Sequence, residues 1–181
     1  MTVSTRSLSM TVNGRKVGPL DVPDDLMMID FLHEYLDLTG SRLGCGQGIC
    51  HACAIILDTP DGVSRELRSC ITGAHFFAGK SVRTVEGHAQ RDDKGNVVRL
   101  SPVQQAFIEH FSFQCGYCTP GFVTGATVLM ERLQKAPIPK EDVEKVIDEA
   151  LAPHICRCTG YVRYYAAVKD VILNTPGLVK G

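Results

Sequence analysis

The chain has 181 residues, 44% of them hydrophobic and 22% charged, with a formal net charge of -1; that is room for little more than one ordinary domain, or for two small ones that need added support. No charge run of the kind that binds nucleic acid or a membrane surface is present, so neither nucleic acid nor direct membrane insertion is expected. No stretch approaches the roughly 18 uninterrupted apolar residues of a membrane span, and MTVSTRSLSM has neither an apolar signal core nor paired arginines. The expected location is cytoplasmic, with a periplasmic or membrane-associated one open if a partner subunit carries the chain.

The first half reads as a small mixed α/β unit. Leu8, Met10 and Val12 alternate along a strand, and Asn13-Gly14 suits a tight hairpin turn into a second one. From Asp24 to Leu38, the apolar residues Leu26, Ile29, Leu32 and Leu36 recur at helical spacing, which predicts a short amphipathic helix ending near Gly40. After a glycine-rich segment, Ala52 to Leu57 and Arg65 to Ile71 read as strands joined across Asp61-Gly62, and Ser81 to Val85 as a closing strand. The expected first domain spans residues 1–85. Residues 86–100 are polar without sustained periodicity and read as a linker or an ordered crossing strap.

Residues 101–181 form the second expected domain, all-helical. Ser101-Pro102-Val103-Gln104 combines an N-cap, a proline at the first helical position and a capping-box glutamine, with Val103, Ala106, Phe107 and Phe111 on one face. A second helix starts at Thr119-Pro120 and continues through Phe122, Ala126, Leu129, Met130 and Leu133 until Pro137 and Pro139 stop it. Val143, Val146, Ile147 and Ala150 mark a third. Tyr161, Tyr164, Tyr165, Val168, Val171 and Ile172 mark a fourth that ends before Pro176-Gly177.

Cysteine carries the chemistry: there are 8, in two groups of four. A disulfide framework belongs to small secreted domains and fits poorly with ordinary helices and no secretory signal. Cys45-x4-Cys50-x2-Cys53, with Cys70 further on, is the spacing with which plant-type ferredoxins hold a [2Fe-2S] cluster. Three thiolates must converge from one tightly curled loop, and Gly44, Gly46 and Gly48 permit the backbone angles and close approach that aim amides at the cluster sulfurs. A zinc ribbon competes, but the four-residue gap and the glycine density argue against it. The second group, Cys115-x2-Cys118 and Cys156-x1-Cys158, is ambiguous on spacing alone. Each pair precedes an expected helix start, Thr119-Pro120 or Thr159-Gly160, where a helix N-terminus favours negative charge. Zinc fits the ligand count of this group equally well.

The stretches GCGQGICHACAI, SPVQQAFIEHFSFQCGYCTPGFV and HICRCTGYVRYYAAV, in that order, closely resemble the small iron–sulfur subunit of molybdenum hydroxylases, the xanthine oxidase and aldehyde oxidoreductase family, from about residue 7 to about residue 173. The resemblance implies an α+β chain: an N-terminal β-grasp plant-type ferredoxin domain followed by an all-α four-helix-bundle domain, each with one [2Fe-2S] cluster. It implies that Cys115, Cys118, Cys156 and Cys158 hold the cluster nearer a molybdopterin cofactor on a large catalytic subunit, and Cys45, Cys50, Cys53 and Cys70 the more distant one. Gln114 corresponds to a glutamine lying against the pterin, and Cys156 to a residue that touches its edge. The implied function is electron transfer from aldehyde or N-heteroaromatic oxidation to an FAD-binding subunit or a haem c cytochrome subunit. No catalytic residue for substrate is expected on this chain.

Two departures from the family pattern stand out. His51 replaces a common glycine between Cys50 and Cys53, and Pro153-His154 replaces a usual glycine and asparagine before the CRC pair. A histidine in such a loop is ordinarily exposed. His33, His75, His88 and His110 have no metal-ligand spacing. Phe111, Phe113, Tyr117 and Phe122 are spaced for helical core or subunit contact.

Overall fold

The computed structural model describes residues 4–180, so Met1–Val3 and Gly181, at the outer ends of the two expected domains, lie outside the described residues. The chain is α+β, with a mixed sheet in its first half and helices in its second.

β1 (Thr5–Val12) and β2 (Arg15–Pro23) form the expected hairpin. Its turn residues Asn13 and Gly14 both take positive φ, 51° and 77°, the backbone that matches the twist of the flanking strands. Leu8, Met10 and Val12 point into the core, as their alternation requires. The expected helix over 24–38 is shorter: a turn α1 (Met28–Asp30) runs into a π-helical turn, Phe31–Tyr35. The first expected turn is lost because Met27 bridges Gly73 across a β-type contact, and the last because Asp37 turns left-handed at φ 54°. What remains still buries Met28, Phe31 and Leu32 beneath the sheet.

β3 (Ala54–Asp58) and β4 (Ser64–Arg68) pair antiparallel. β5 (Ser81–Arg83) does not close the sheet at an edge; it sits at its centre, parallel to β1 and antiparallel to β3, in the order β2-β1-β5-β3-β4. β3 is buried on both faces, which its unbroken Ala-Ile-Ile-Leu run allows. Ile55 and Leu57 face the first core, and the helical half packs across the sheet at β3 and β4. The strand expected to reach Ile71 ends at Arg68, so Cys70 falls in the turn after β4.

The stretch expected to link the halves is an ordered strap: a 3-10 turn at Val85–Gly87, then a small hairpin of β6 (Gln90–Arg91) and β7 (Val97–Arg99). Glu86 ties its start to the first half by accepting from the Gly40 N–H and the Thr84 hydroxyl.

Four α-helices follow: α2 (Pro102–Glu109), α3 (Thr119–Lys135), α4 (Val143–Leu151) and α5 (Val162–Asn174). The Ser101/Gln104 capping box forms in full at α2. Phe111, expected on the buried face of α2, instead lies past its end at φ 48° and is 73% exposed. Phe107, Phe122 and Tyr164 centre the helical core, the last two stacked at 4.2 Å and 3° between ring planes. Among the described residues no helix is long and apolar enough to cross a membrane.

The halves are joined by charge as well as packing. Arg83 on β5 reaches Glu131 on α3 through two bonds of 2.6 and 3.0 Å, and its Nε donates to Asp58 at 2.9 Å. Burial alone would raise the Glu131 carboxyl; the Arg83 guanidinium and the Ser64 hydroxyl more than offset this and hold it below its ordinary value. Arg83→Met is therefore expected to cost about 2 kcal/mol at neutral pH, since it strands two carboxylates at a part-buried joint. A carboxyl depressed in the folded state contributes stability above its ordinary value of 4.5 and loses it as pH falls below that. The gap between wild type and variant in urea denaturation should thus be full at pH 7 and shrink in acid.

Candidate cluster sites

The loop between Gly40 and Ala54 has little regular structure, and its shape is set by amides that turn toward sulfur. The N–H groups of Gln47, Ile49 and Cys50 all donate to Cys45 Sγ, at 3.3, 3.4 and 3.4 Å. The Gln47 and Cys50 amides lead in pulling the Cys45 thiol down to about 6, which favours the thiolate that a metal ligand needs. Gly48 sits at φ 71°, a backbone that strains any side chain, and a Cβ there would also lie 2.4 Å from Ile71 Cδ1; a Cβ on Gly44 would meet Cys50 Sγ at 3.0 Å, tight enough that the sulfur must give way.

Cys53 and Cys70 approach from behind the loop, buried together with Ile29. Burial pushes the Cys53 thiol up to about 12, and the neighbouring Cys70 and Cys50 sulfurs push the same way. The structure therefore brings Cys45, Cys50, Cys53 and Cys70 together from one loop and one turn. A set of four crowded, free thiols, two half-exposed and two buried, is a donor set that a thiophilic cation completes.

The second set gathers where α3 begins and the segment before α5 folds back. Cys118 is the N-cap residue of α3, and its Sγ lies 3.6 Å from the Tyr164 hydroxyl, which also meets Thr119 Oγ1 at 2.7 Å. Burial raises the Cys118 thiol to about 11, with Cys156 pushing the same way. At Cys156 burial also opposes ionisation, but the Thr159 hydroxyl, 3.0 Å away, and the Thr159 amide outweigh it and leave the thiol below its ordinary value. Cys158 Sγ sits 3.6 Å from Cys115 Sγ, and that proximity raises the Cys158 thiol. All four expected cysteines are again neighbours. α5 begins at Val162 rather than at Thr159-Gly160, because Tyr161 takes a left-handed φ of 70° and delays the helix.

The two sets are unlike in exposure. Cys53, Cys70 and Cys156 are buried, whereas Cys115 and Cys158 are exposed. Gln114 is also exposed, beside Cys115, and Phe111, Phe113, Tyr117 and Val162, each a few residues from a cysteine of the second set, are exposed apolar side chains that we call its apolar rim. Of the four aromatics expected in the helical core or at a subunit contact, Phe122 lies in the core and Phe111, Phe113 and Tyr117 are exposed. The rim is a surface suited to a partner.

The loops that carry the two sets touch directly. The Ile155 N–H donates to the Cys50 carbonyl at 3.1 Å, and the Tyr117 hydroxyl donates to the Leu43 carbonyl at 2.8 Å. α3 lies so close that a Cβ on Gly121 would sit 2.3 Å from the His51 carbonyl oxygen. His51 is not the exposed loop histidine expected from its position: its side chain is turned in against Glu66 and is only 14% exposed. His154 is fully buried beside it. Burial would raise the Glu66 carboxyl, but the His154 and His51 rings beside it hold it at about 2.

Several of these residues gave no signal of their own in the sequence. Glu66 sits among ordinary alternating strand residues, and the hydroxyls of Tyr161 and Tyr164 read as core aromatics. Gly121 and Gly125 did carry one: two glycines in a helical pattern, each costing roughly 1 kcal/mol against alanine, mark a close approach.

A [2Fe-2S] binding domain family matches residues 84–169. The nicotine 6-hydroxylase small subunit of Paenarthrobacter nicotinovorans is 38% identical over 173 residues, covering 95% of this chain and 90% of that protein. The aldehyde oxidoreductase iron-sulfur-binding subunit PaoA of Escherichia coli (strain K12) is 34% identical over 173 residues, covering 90% and 70%. Among solved structures, quinoline 2-oxidoreductase from Pseudomonas putida 86 superposes with a TM-score of 0.76 at 32% identity, over 96% of this chain and 93% of that one.

Proposed function

The chain belongs to the iron–sulfur small subunits of the molybdenum hydroxylases, and from that premise we propose that it holds two [2Fe-2S] clusters, one in each cysteine tetrad, that link a molybdopterin-binding catalytic subunit to an electron acceptor. Its role is electron transfer. We read the first half, to residue 85, as a β-grasp ferredoxin domain, residues 86–100 as the strap, and residues 101–181 as a four-helix-bundle domain.

The observation that carries this reading is the joined pair of tetrads: two sets of four free cysteines, on loops bonded to each other through Ile155 N–H and the Cys50 carbonyl. When bound, a [2Fe-2S] cluster supplies one-electron storage and transfer. The residues of this chain prepare each site and separate their tasks. Three amides donate to Cys45 Sγ and favour its thiolate, and hydrogen bonds to the sulfurs are among the factors that set a cluster's potential. Tyr164 and Thr159 order the Cys118 and Cys156 sulfurs. Burial of Cys53 and Cys70 keeps water from the inner side of the first tetrad, and exposure of Cys115 and Cys158 leaves the second open toward the apolar rim.

That exposure, with Gln114 beside it, supports placing the molybdopterin subunit against the second tetrad, where Gln114 and Cys156 would meet the pterin edge. The acceptor is then served by the first tetrad, through an FAD-binding or haem c subunit. The substrate class is an aldehyde or a ring carbon of an N-heteroaromatic compound, oxidised on the catalytic subunit. Carriage by such partners also decides the compartment, with the cytoplasm as the reading for the chain alone.

Purified with its partners, the chain should contain about four iron and four acid-labile sulfide per copy and show two distinguishable paramagnetic centres when reduced. Zinc in the second tetrad, with only half that iron, would overturn the reading.

A further inference from the structure

The two histidines that depart from the family pattern, more than a hundred positions apart in sequence, converge on one carboxylate. His51 Nδ1 lies 2.7 Å from Glu66 Oε1, and His154 Nε2 lies 3.2 Å from Oε2. The rings also meet edge to face, their centroids 4.8 Å apart. Each histidine belongs to a different tetrad loop. His51 lies between Cys50 and Cys53, and His154 lies two residues before Cys156. Glu66, on β4, belongs to neither.

We propose that Glu66 is a positioning residue that braces the two cysteine loops against each other through His51 and His154, and so fixes the separation of the two clusters; this rests on the two-cluster reading above. His51 holds a left-handed backbone at φ 59°, unfavourable for any side chain, so its ring is retained against local strain. His154 is 1% exposed and neither of its ring nitrogens has a hydrogen-bond partner of good geometry among the described residues, so the 3.2 Å approach of Nε2 to Glu66 Oε2 is the polar contact that offsets its burial. α3 makes room for the arrangement: a Cβ on Gly125 would fall 2.5 Å from His154 Nε2 and 3.2 Å from Glu66 Oε2. One carboxylate with two acceptor oxygens faces both rings at once, which a direct contact between the rings cannot replace.

The same three groups, with ligand atoms within 4.8 Å of one another, are also a set that a divalent cation could use. The 2.7 Å contact favours a direct hydrogen bond, because ligands of a tetrahedral zinc stand roughly 3.3 Å apart. The brace is therefore expected to be metal-free.

The test uses the complex with its partner subunits, fully reduced, and reads the magnetic interaction between the two centres by EPR. Glu66→Ala should keep about four iron per chain and both individual signals, yet lose or broaden the spin–spin splitting. Glu66→Gln, which can still accept from a histidine, should keep most of it. His51→Gly relieves the left-handed strain, so it should fold at least as well and still show the loss. Splitting unchanged in both Glu66→Ala and His51→Gly overturns the proposal. So does zinc at one per chain in wild type that disappears in Glu66→Gln, which would make the triad a metal site. Absence of two clusters in wild type would instead overturn the reading on which the proposal rests.

Discussion

Cys156→Ala is expected to halve the iron content, from about four to about two atoms per chain, to leave a single paramagnetic centre in the reduced protein, and to drop electron delivery to the acceptor to background. The expectation rests on where this sulfur lies. Cys156 is 8% exposed, its Sγ is 3.0 Å from Thr159 Oγ1, and it is the neighbour through which Cys118 is linked to the exposed pair Cys115 and Cys158. Alanine fits the same space and leaves the Cys156 N–H free to keep its bond to the Tyr161 hydroxyl, so the loop should persist. What is lost is one of four ligands, and a [2Fe-2S] cluster needs all four. The first tetrad shares no ligand with the second, so its centre should survive with an altered environment and not vanish. Iron unchanged at about four, with two centres still present, would show that Cys156 is not a ligand.

The reverse experiment separates the two sites further. Cys45→Ala should remove the other centre and spare the one beside the apolar rim. Electron entry from the catalytic subunit should then still reduce the chain, while its re-oxidation by the acceptor fails. Loss of either cluster breaks the transfer, but at opposite ends.

Much of this was legible in the sequence because cluster loops are local. Cys45, Cys50, Cys53 and the intervening glycines lie within one short stretch, and the amides that bond Cys45 Sγ belong to the same loop. Helix starts were also local: Ser101 and Gln104 form their capping box from residues three apart. The misses are non-local. The helix expected from Asp24 lost its first turn to a bridge with Gly73, far along the chain. β5 reads as a closing strand because nothing in Ser81–Arg83 reveals that β1 and β3 flank it on both sides. His51 reads as exposed because its partners, Glu66 and His154, are set only by the packing of α3 across the sheet. The zinc ambiguity of the second tetrad has the same origin, since two short cysteine pairs leave the ion to be chosen by surroundings that spacing does not encode.

The packing of α3 gives the second large effect. Gly121→Ala is expected to destabilise the protein by about 2 kcal/mol or more, although alanine is the better helix former by roughly 1 kcal/mol. Gly121 sits in the first turns of α3, against the segment His51–Ala52 of the first tetrad loop. An added Cβ would stand 2.3 Å from the His51 carbonyl oxygen, 3.0 Å from its carbon and 3.2 Å from Ala52 Cα. All three are backbone atoms, so no side-chain rotation relieves the clash; either α3 or the loop must move. Movement of α3 carries Cys118, its N-cap, away from the other sulfurs, and movement of the loop strains the Ile155 N–H bond to the Cys50 carbonyl. The sign of the effect is the decisive reading. At an exposed helical glycine the same substitution stabilises, so a Gly121→Ala holoprotein that melts at or above the wild-type temperature, followed by loss of cluster absorbance, would mean that α3 does not lie this close. A lower melting temperature together with a weakened interaction between the two reduced centres would tie stability and electron transfer to one contact. The glycine that lets helix and loop meet would then also set how near the two clusters stand.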